Sequence, residues 1–195
     1  MEMGVEVEGR GMGKKPVTYV DLEALPPHVV GEIVEGELYA SPRPAVPHVV
    51  AGSRLGAELG GPFDRGRGGP GGWLLLDAPE LHLGEDVLVP DLAGWRRERM
   101  PRAPRTAAIS LAPDWVCEVL SPSTVALDRG AKLRAYARAG VRHVWWVDPL
   151  ARTLEVLRLE GVHFLLLDTY TGTARVRAHP FEALELELAV LWGDE

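Results

Sequence analysis

The chain has 195 residues, 46% of them hydrophobic, which suits one folded domain with a real core and argues against wholesale disorder. A formal net charge of −7 excludes a protein that coats nucleic acid through a general positive field. No apolar run approaches the roughly 20 residues that span a bilayer, no signal-peptide pattern opens the chain, and the single cysteine, Cys117, has no disulfide partner within it, so a cytoplasmic setting is expected.

Residues 1–16 are rich in Gly and charge without periodicity and read as a flexible arm; residues 17–195 read as one domain. The segment Gly9–Lys15 fails as a phosphate loop, since no strand precedes it and no Ser or Thr follows the lysine. Thr18–Leu25 predicts a short helix ended by Pro26-Pro27, and Glu32–Tyr39 a β-hairpin turning at Glu35-Gly36. Pro47 opens a helix that runs to Leu59 before Gly60-Gly61. Trp73–Leu83 and Val87–Trp95 predict two strands joined at Gly84-Glu85-Asp86, and Asp114–Leu120 a third. Ser121-Pro122-Ser123-Thr124 breaks that strand and offers capping hydroxyls to a helix reaching Ala139, stopped by Gly140. Val141–Val147 resumes as a buried strand, two further strands follow over 153–159 and 162–170, and a leucine-rich segment runs from Phe181 to Trp192. An antiparallel pair feeding a helical crossover predicts an α/β (α+β) fold: a mixed central sheet flanked by helices, with an N-terminal hairpin and a C-terminal strand extension. The apolar surplus of those last elements suggests a homo-oligomer.

Alternation places Val116, Glu118 and Leu120 on one face of their strand and Trp115, Cys117 and Val119 on the other, so Cys117 reads as core. Glu118 sits mid-strand among apolar residues, where an ionised carboxylate costs several kcal/mol unless a cation or donor answers it. Asp91 lies between Val87-Leu88-Val89-Pro90 and Leu92-Ala93, and Pro90 interrupts the strand just before it. Two carboxylates on neighbouring strands beside an interruption suit a hard divalent cation such as Mg²⁺. Each acid pairing separately with an arginine is the alternative. Asp128, Lys132 and Tyr136 are spaced by four along the following helix, which packs back over the Glu118 strand. Lysine occurs only at Lys14, Lys15 and Lys132 in a chain that otherwise uses arginine, and Lys132 suits holding or activating a water beside an ion. Asn and Gln are absent altogether, a thermophilic trait.

These residues also carry a family resemblance. Val89-Pro90-Asp91, then Val116-Cys117-Glu118-Val119-Leu120-Ser121-Pro122-Ser123-Thr124, then Lys132 with Tyr136 and Gly140, resembles the Uma-type branch of the PD-(D/E)XK nuclease superfamily. Gly31–Leu38 with His48 upstream, and Gly140–Pro149 downstream, extend the likeness over nearly all of the chain after residue 17. It implies a restriction-endonuclease-like core and a metal-dependent phosphodiesterase acting on DNA, with Asp91 and Glu118 as Mg²⁺ ligands (Mn²⁺ as substitute) and Lys132 as the site lysine. The superfamily's usual motif puts that lysine two residues after the glutamate, where this chain has Leu120, so Lys132 must supply the charge from the helix.

Glu32 or Glu37 is a candidate third carboxylate, and His48 and Tyr136 are candidate substrate contacts, His48 facing a phosphate from a helix N-terminus. The arginine-rich run Arg96–Arg105 offers a local basic groove or simply a solvated loop. The six histidines lack zinc spacing, and no Gly-x-Ser-x-Gly elbow surrounds Ser121 or Ser123. A paired-carboxylate glycosidase lacks an aromatic sugar platform. The reading from another class is a non-catalytic DNA-binding or protein-interaction module, separated from the enzyme by whether Asp91, Glu118 and Lys132 meet around one cavity.

Overall fold

A computed structural model describes residues 17–194; the arm expected over residues 1–16 lies outside the described residues. Helix α1 (Tyr19–Glu23) is shorter than its predicted span, with the Thr18 amide donating to Asp21 Oδ2 at 2.8 Å. The predicted hairpin is β1 (Val29–Val34) and β2 (Glu37–Pro42), turning at Glu35 and Gly36, both at positive φ. Helix α2 (Val46–Leu59) carries Pro47 in its first turn, where a missing amide costs nothing, and runs on into a wide turn over Gly60–Asp64.

The next two predicted strands are each cut in two. Trp73–Leu83 divides into β3 (Trp73–Asp77) and β4 (Leu81–Leu83), and Val87–Trp95 into β5 (Asp86–Leu88) and β6 (Leu92–Arg96). Ala78, at φ 45°, and Pro79 break one strand; Pro90 breaks the other, and the Ala78 amide donates to the Asp91 carbonyl at 2.9 Å across the break. The ribbon thereby leaves one sheet and enters another. Strands β4 and β5 join the first hairpin in a four-stranded sheet ordered β2-β1-β5-β4.

Strand β7 (Trp115–Val119) pairs antiparallel with β6 and parallel with β8 (His143–Asp148), the parallel pair requiring a helical crossover. That crossover is α3 (Val125–Leu127), a wide turn over Asp128–Lys132, and α4 (Leu133–Ala139), ended by Gly140 at φ 76°. The Ser121–Thr124 hydroxyls do not cap it. Thr124 is already helical, so its side chain cannot reach back to the free amides, and Ser121 Oγ bonds Ser123 and Thr124 at 3.0 Å instead. Strands β9 (Thr153–Glu160) and β10 (His163–Thr171) complete a six-stranded mixed sheet ordered β10-β9-β8-β7-β6-β3.

Around the central strands β7 and β8 both faces of that sheet are buried. On one, α2 and the short C-terminal helix α5 (Leu188–Trp192) cover Trp115, Cys117, Trp145 and Val147, with Phe181 wedged among the indoles. On the other, α4 covers Val116, Leu120 and Val144. The segment expected as a leucine-rich surplus is consumed internally: after the small β11–β12 pair (Arg175–Val176 and Leu186–Glu187), Leu188 and Leu191 are fully buried. Exposed apolar side chains lie at scattered positions such as Val20, Val46 and Leu150, and also at Val162 and on β10, at Leu165 and Leu166. No helix among the described residues is long and apolar enough to cross a membrane.

Candidate active site

The strand break that shunts the ribbon between sheets also frees Asp91. It sits one residue before β6, where Leu92 is opposite Cys117 of β7, so its carboxylate reaches the backbone of the neighbouring strand: the Val119 amide donates to Asp91 Oδ2 at 2.7 Å. Oδ1 lies 2.7 Å from Nε2 of His48, which comes from the first turn of α2. The Nδ1 of that ring is buried and has no partner, so the arrangement that fits is Nε2–H donating to Asp91. The imidazole is thereby directed at the carboxylate.

Glu118 lies on the opposite face of β7 from Cys117, as alternation requires, and is 2% exposed. Its Oε1 is 2.9 Å from Lys132 Nζ and accepts from the Tyr136 hydroxyl at 2.5 Å. Lys132, equally buried, also meets Glu32 Oε1 at 2.9 Å and Asp128 Oδ1 at 3.4 Å. Glu32 arrives from β1 and is fixed by the Val89 amide at 2.7 Å, in the segment between β5 and Pro90. Lys132 and Asp128 bound the wide helical turn, the kind of local widening that frequently marks functional sites. The sequence spacing placed Asp128 on the Lys132 face but did not mark it as part of the site.

Burial pushes the Glu118 carboxyl well above its usual range, and Asp128, Asp91 and Glu32 add to this while Lys132 opposes it. Asp128 is raised as well, again chiefly by burial. For Lys132, burial works to lower the pKa, but Glu118 and Glu32 outweigh it and hold the ammonium well above the ordinary lysine range. The lysine is therefore a fixed positive charge in a negative setting. Tyr136 is raised by burial and by Glu118, and stays a phenol donor.

Asp91, Glu118, Lys132, Glu32 and His48 line one cavity of about 450 Å³. Helices from opposite faces of the sheet, α2 and the crossover, thus deliver His48 and Lys132 to the same strand break. Tyr136, expected to contact substrate, is fully buried with its hydroxyl on Glu118. Glu37 is exposed on β2 and is not among the lining residues. Leu120, where the usual motif has lysine, is buried in the apolar cluster under α4. The Arg96–Arg105 run does not line the cavity: Arg97 pairs with Asp64 at 2.8 Å, Arg99 with Asp114 at 2.9 Å, and Arg96 stacks on Trp73 at 4.1 Å. The separate arginine partners considered for Asp91 and Glu118 are replaced by His48 and Lys132.

No three His, Cys, Asp or Glu side chains among the described residues form a ready-made metal cage. The cavity offers Asp91 and Glu118, with Glu32 and Asp128 beside them, against the single ammonium of Lys132. Hard oxygen donors in negative excess fit an ion that takes one or two carboxylates and keeps several waters.

The family model described as "Uma2: Putative restriction endonuclease" matches residues 17–190. The chain belongs to this family. Among solved structures, a crystal structure from Anabaena variabilis ATCC 29413, described as a putative nuclease belonging to DUF820, matches with a TM-score of 0.73 at 22% identity. The match covers 91% of this chain and 98% of that one, and it establishes the shared fold. A comparison with curated proteins finds no match.

Proposed function

We propose that the chain is a metal-dependent nuclease that hydrolyses DNA phosphodiester bonds, with Asp91 and Glu118 holding Mg²⁺ or Mn²⁺ and Lys132 serving the attacking water. The observation that carries this reading is the convergence of Asp91, Glu118, Lys132 and Glu32 on one cavity at a strand break. When bound, the divalent ion supplies polarisation of the scissile phosphate and a lowered pKa for water. The chain's own groups do the rest. Lys132, its ammonium held by Glu118, Glu32 and Asp128, sets a fixed positive charge beside the attacking water and the charge that develops on phosphorus-bound oxygen. The water oxygen bonds to phosphorus and releases a proton, one phosphorus–sugar oxygen bond breaks, and the departing oxygen takes up a proton from solvent in exchange, so that one water is added across the bond. Tyr136 and Lys132 both engage Oε1 of Glu118, fixing the carboxylate's orientation, while His48 and the Val119 amide do the same for Asp91. Glu32 and Asp128 hold the Lys132 ammonium in place.

With this reading go a cytoplasmic setting, residues 17–195 acting as one domain, and self-association through the exposed apolar residues along β10, for which sedimentation is the check. The direct test is a panel of DNA forms incubated with Mg²⁺ or Mn²⁺ against a Glu118→Ala control. Cleavage by the wild type and none by the variant supports the enzyme. A wild type inert on every form with either metal leaves the binding module.

A further inference from the structure

Resting on the nuclease reading above, we infer that the site takes an unpaired strand, admitting a nucleotide or two at a time, and does not act on a phosphate presented by an intact duplex. Size comes first. A cavity of about 450 Å³, adjoined at Pro44, His48 and Asp91 by a second of about 460 Å³, is on the scale of a nucleotide or two and far below that of a duplex segment. Glu118 and Lys132 lie at its floor, each only 2% exposed. Its walls are the exposed Pro42-Arg43-Pro44 turn between β2 and α2 and the Ser121–Thr124 segment between β7 and α3. A duplex carries its phosphates on a stiff rod whose major groove alone is about 12 Å wide. To bring a phosphate to this floor the backbone must leave the rod and pass between the walls. Unpairing does that, and a strand already unpaired meets no such cost.

Charge points the same way. Proteins that hold a duplex through its backbone commonly neutralise about 6–10 phosphates. Among the described residues lining the cavity, Arg43 is the one exposed cation; the arginines of 96–105 do not line it, and Arg96, Arg97 and Arg99 are engaged with Trp73, Asp64 and Asp114. A single guanidinium at the mouth suits one phosphate next to the scissile one. Pro42, Pro44 and Pro122 around it offer apolar surface to a sugar or base without reading sequence.

The test uses the full chain with Mn²⁺ and one oligonucleotide sequence offered as a single strand, a blunt duplex and a duplex with a single-stranded overhang. The single strand and the overhang should be cut with kcat/KM about 10²-fold above the blunt duplex, the overhang only in its unpaired part. Binding of the single strand to the Glu118→Ala variant should fall with salt at a log–log slope of about −1 to −2, against −6 or steeper for a surface that tracks a duplex. Arg43→Ala should move that slope towards zero by about 1 and act mainly on KM in the active enzyme. A blunt duplex cut as fast as the single strand overturns this inference and leaves the nuclease reading standing. Failure to cut any form with Mn²⁺ or Mg²⁺ overturns both.

Discussion

On one face of the six-stranded sheet, Phe181 lies against Trp73, Trp115 and Trp145 with ring centroids 4.8, 5.0 and 5.6 Å away. Through the same strand on the other face, Glu118 lies against Lys132 and Tyr136 at comparable burial. Neighbouring residues Cys117 and Glu118 thus enter environments of opposite chemistry. The aromatic face gains from area removed from water and from edge-to-face ring packing. The acidic face carries desolvated charges whose mutual attraction at best offsets the cost of burying them. A fold that needed only stability would fill both faces with apolar side chains. The acidic face is the one that the proposed function uses, and variants on the two sides should separate accordingly.

The largest effect is expected at Lys132. Lys132→Ala leaves Glu32, Glu118 and Asp128 without their shared cation, which should cost about 3–5 kcal/mol in urea unfolding at neutral pH. Single-turnover cleavage should fall by about 10²-fold or more, the scale of a lost electrostatic or acid–base contributor. Lys132→Arg keeps the charge but not the compact ammonium that fits between Glu32, Glu118 and Asp128, so cleavage should still fall. A fully active Arg variant would reduce Lys132 to a generic cation.

Phe181→Ala is the mirror experiment. Truncating this fully buried ring should cost about 3–5 kcal/mol by the same unfolding measurement. The turnover number of the protein that remains folded should be unchanged, and a matching loss of rate would mean that the two faces are not separable. Tyr136→Phe falls between them. It removes one hydrogen bond to a carboxylate, worth about 1.5–3 kcal/mol, while Lys132 still holds Glu118. Denaturation should show that loss and kcat a smaller one.

The smallest effect sharpens the comparison from the aromatic side. His143, at the start of β8, is pulled from 6.5 down to about 4, first by burial and then by His179 and Arg158, so this face keeps its ionisable group neutral where the other pairs its charges. The unfolded chain binds the proton near 6.5 and the folded chain does not, so stability rises with pH between about 4 and 6.5 and is lost as pH falls through that window. His143→Leu should flatten that part of a melting-temperature profile, and an unchanged profile would assign the slope to other groups.

Much of this contrast was legible in the residues themselves. Alternation along Trp115–Val119 assigns Cys117 and Glu118 to opposite faces, and Pro90 marks the interruption that frees Asp91. The spacing of Asp128, Lys132 and Tyr136, with the rarity of lysine, pointed to the helix that looks down on Glu118. Local pattern could not show that Trp73–Asp77 and Leu81–Leu83 belong to different sheets, because both halves alternate like one strand and the exchange is set by a break at Ala78 acting together with one at Pro90. Nor could it pair His48 with Asp91: the two are 43 positions apart and meet only because α2 begins beside the strand break. Tyr136 was visible as a neighbour of Lys132, but whether its hydroxyl faced a ligand or a carboxylate depended on packing depth. The apolar Phe181–Trp192 segment reads as surplus in the sequence for the same reason, since its partners α2 and the indoles lie far off along the chain.

That Asp91 and Glu118 share a divalent ion is tested most directly by melting with and without Mg²⁺ or Mn²⁺. An ion bound only by the folded chain raises stability by mass action, by about 2.7 kcal/mol at a hundredfold excess over its Kd. The wild type should show a rise in Tm, and Asp91→Asn should fold but lose most of the increment. Equal stabilisation of the two proteins, or no response in the wild type, would contradict it.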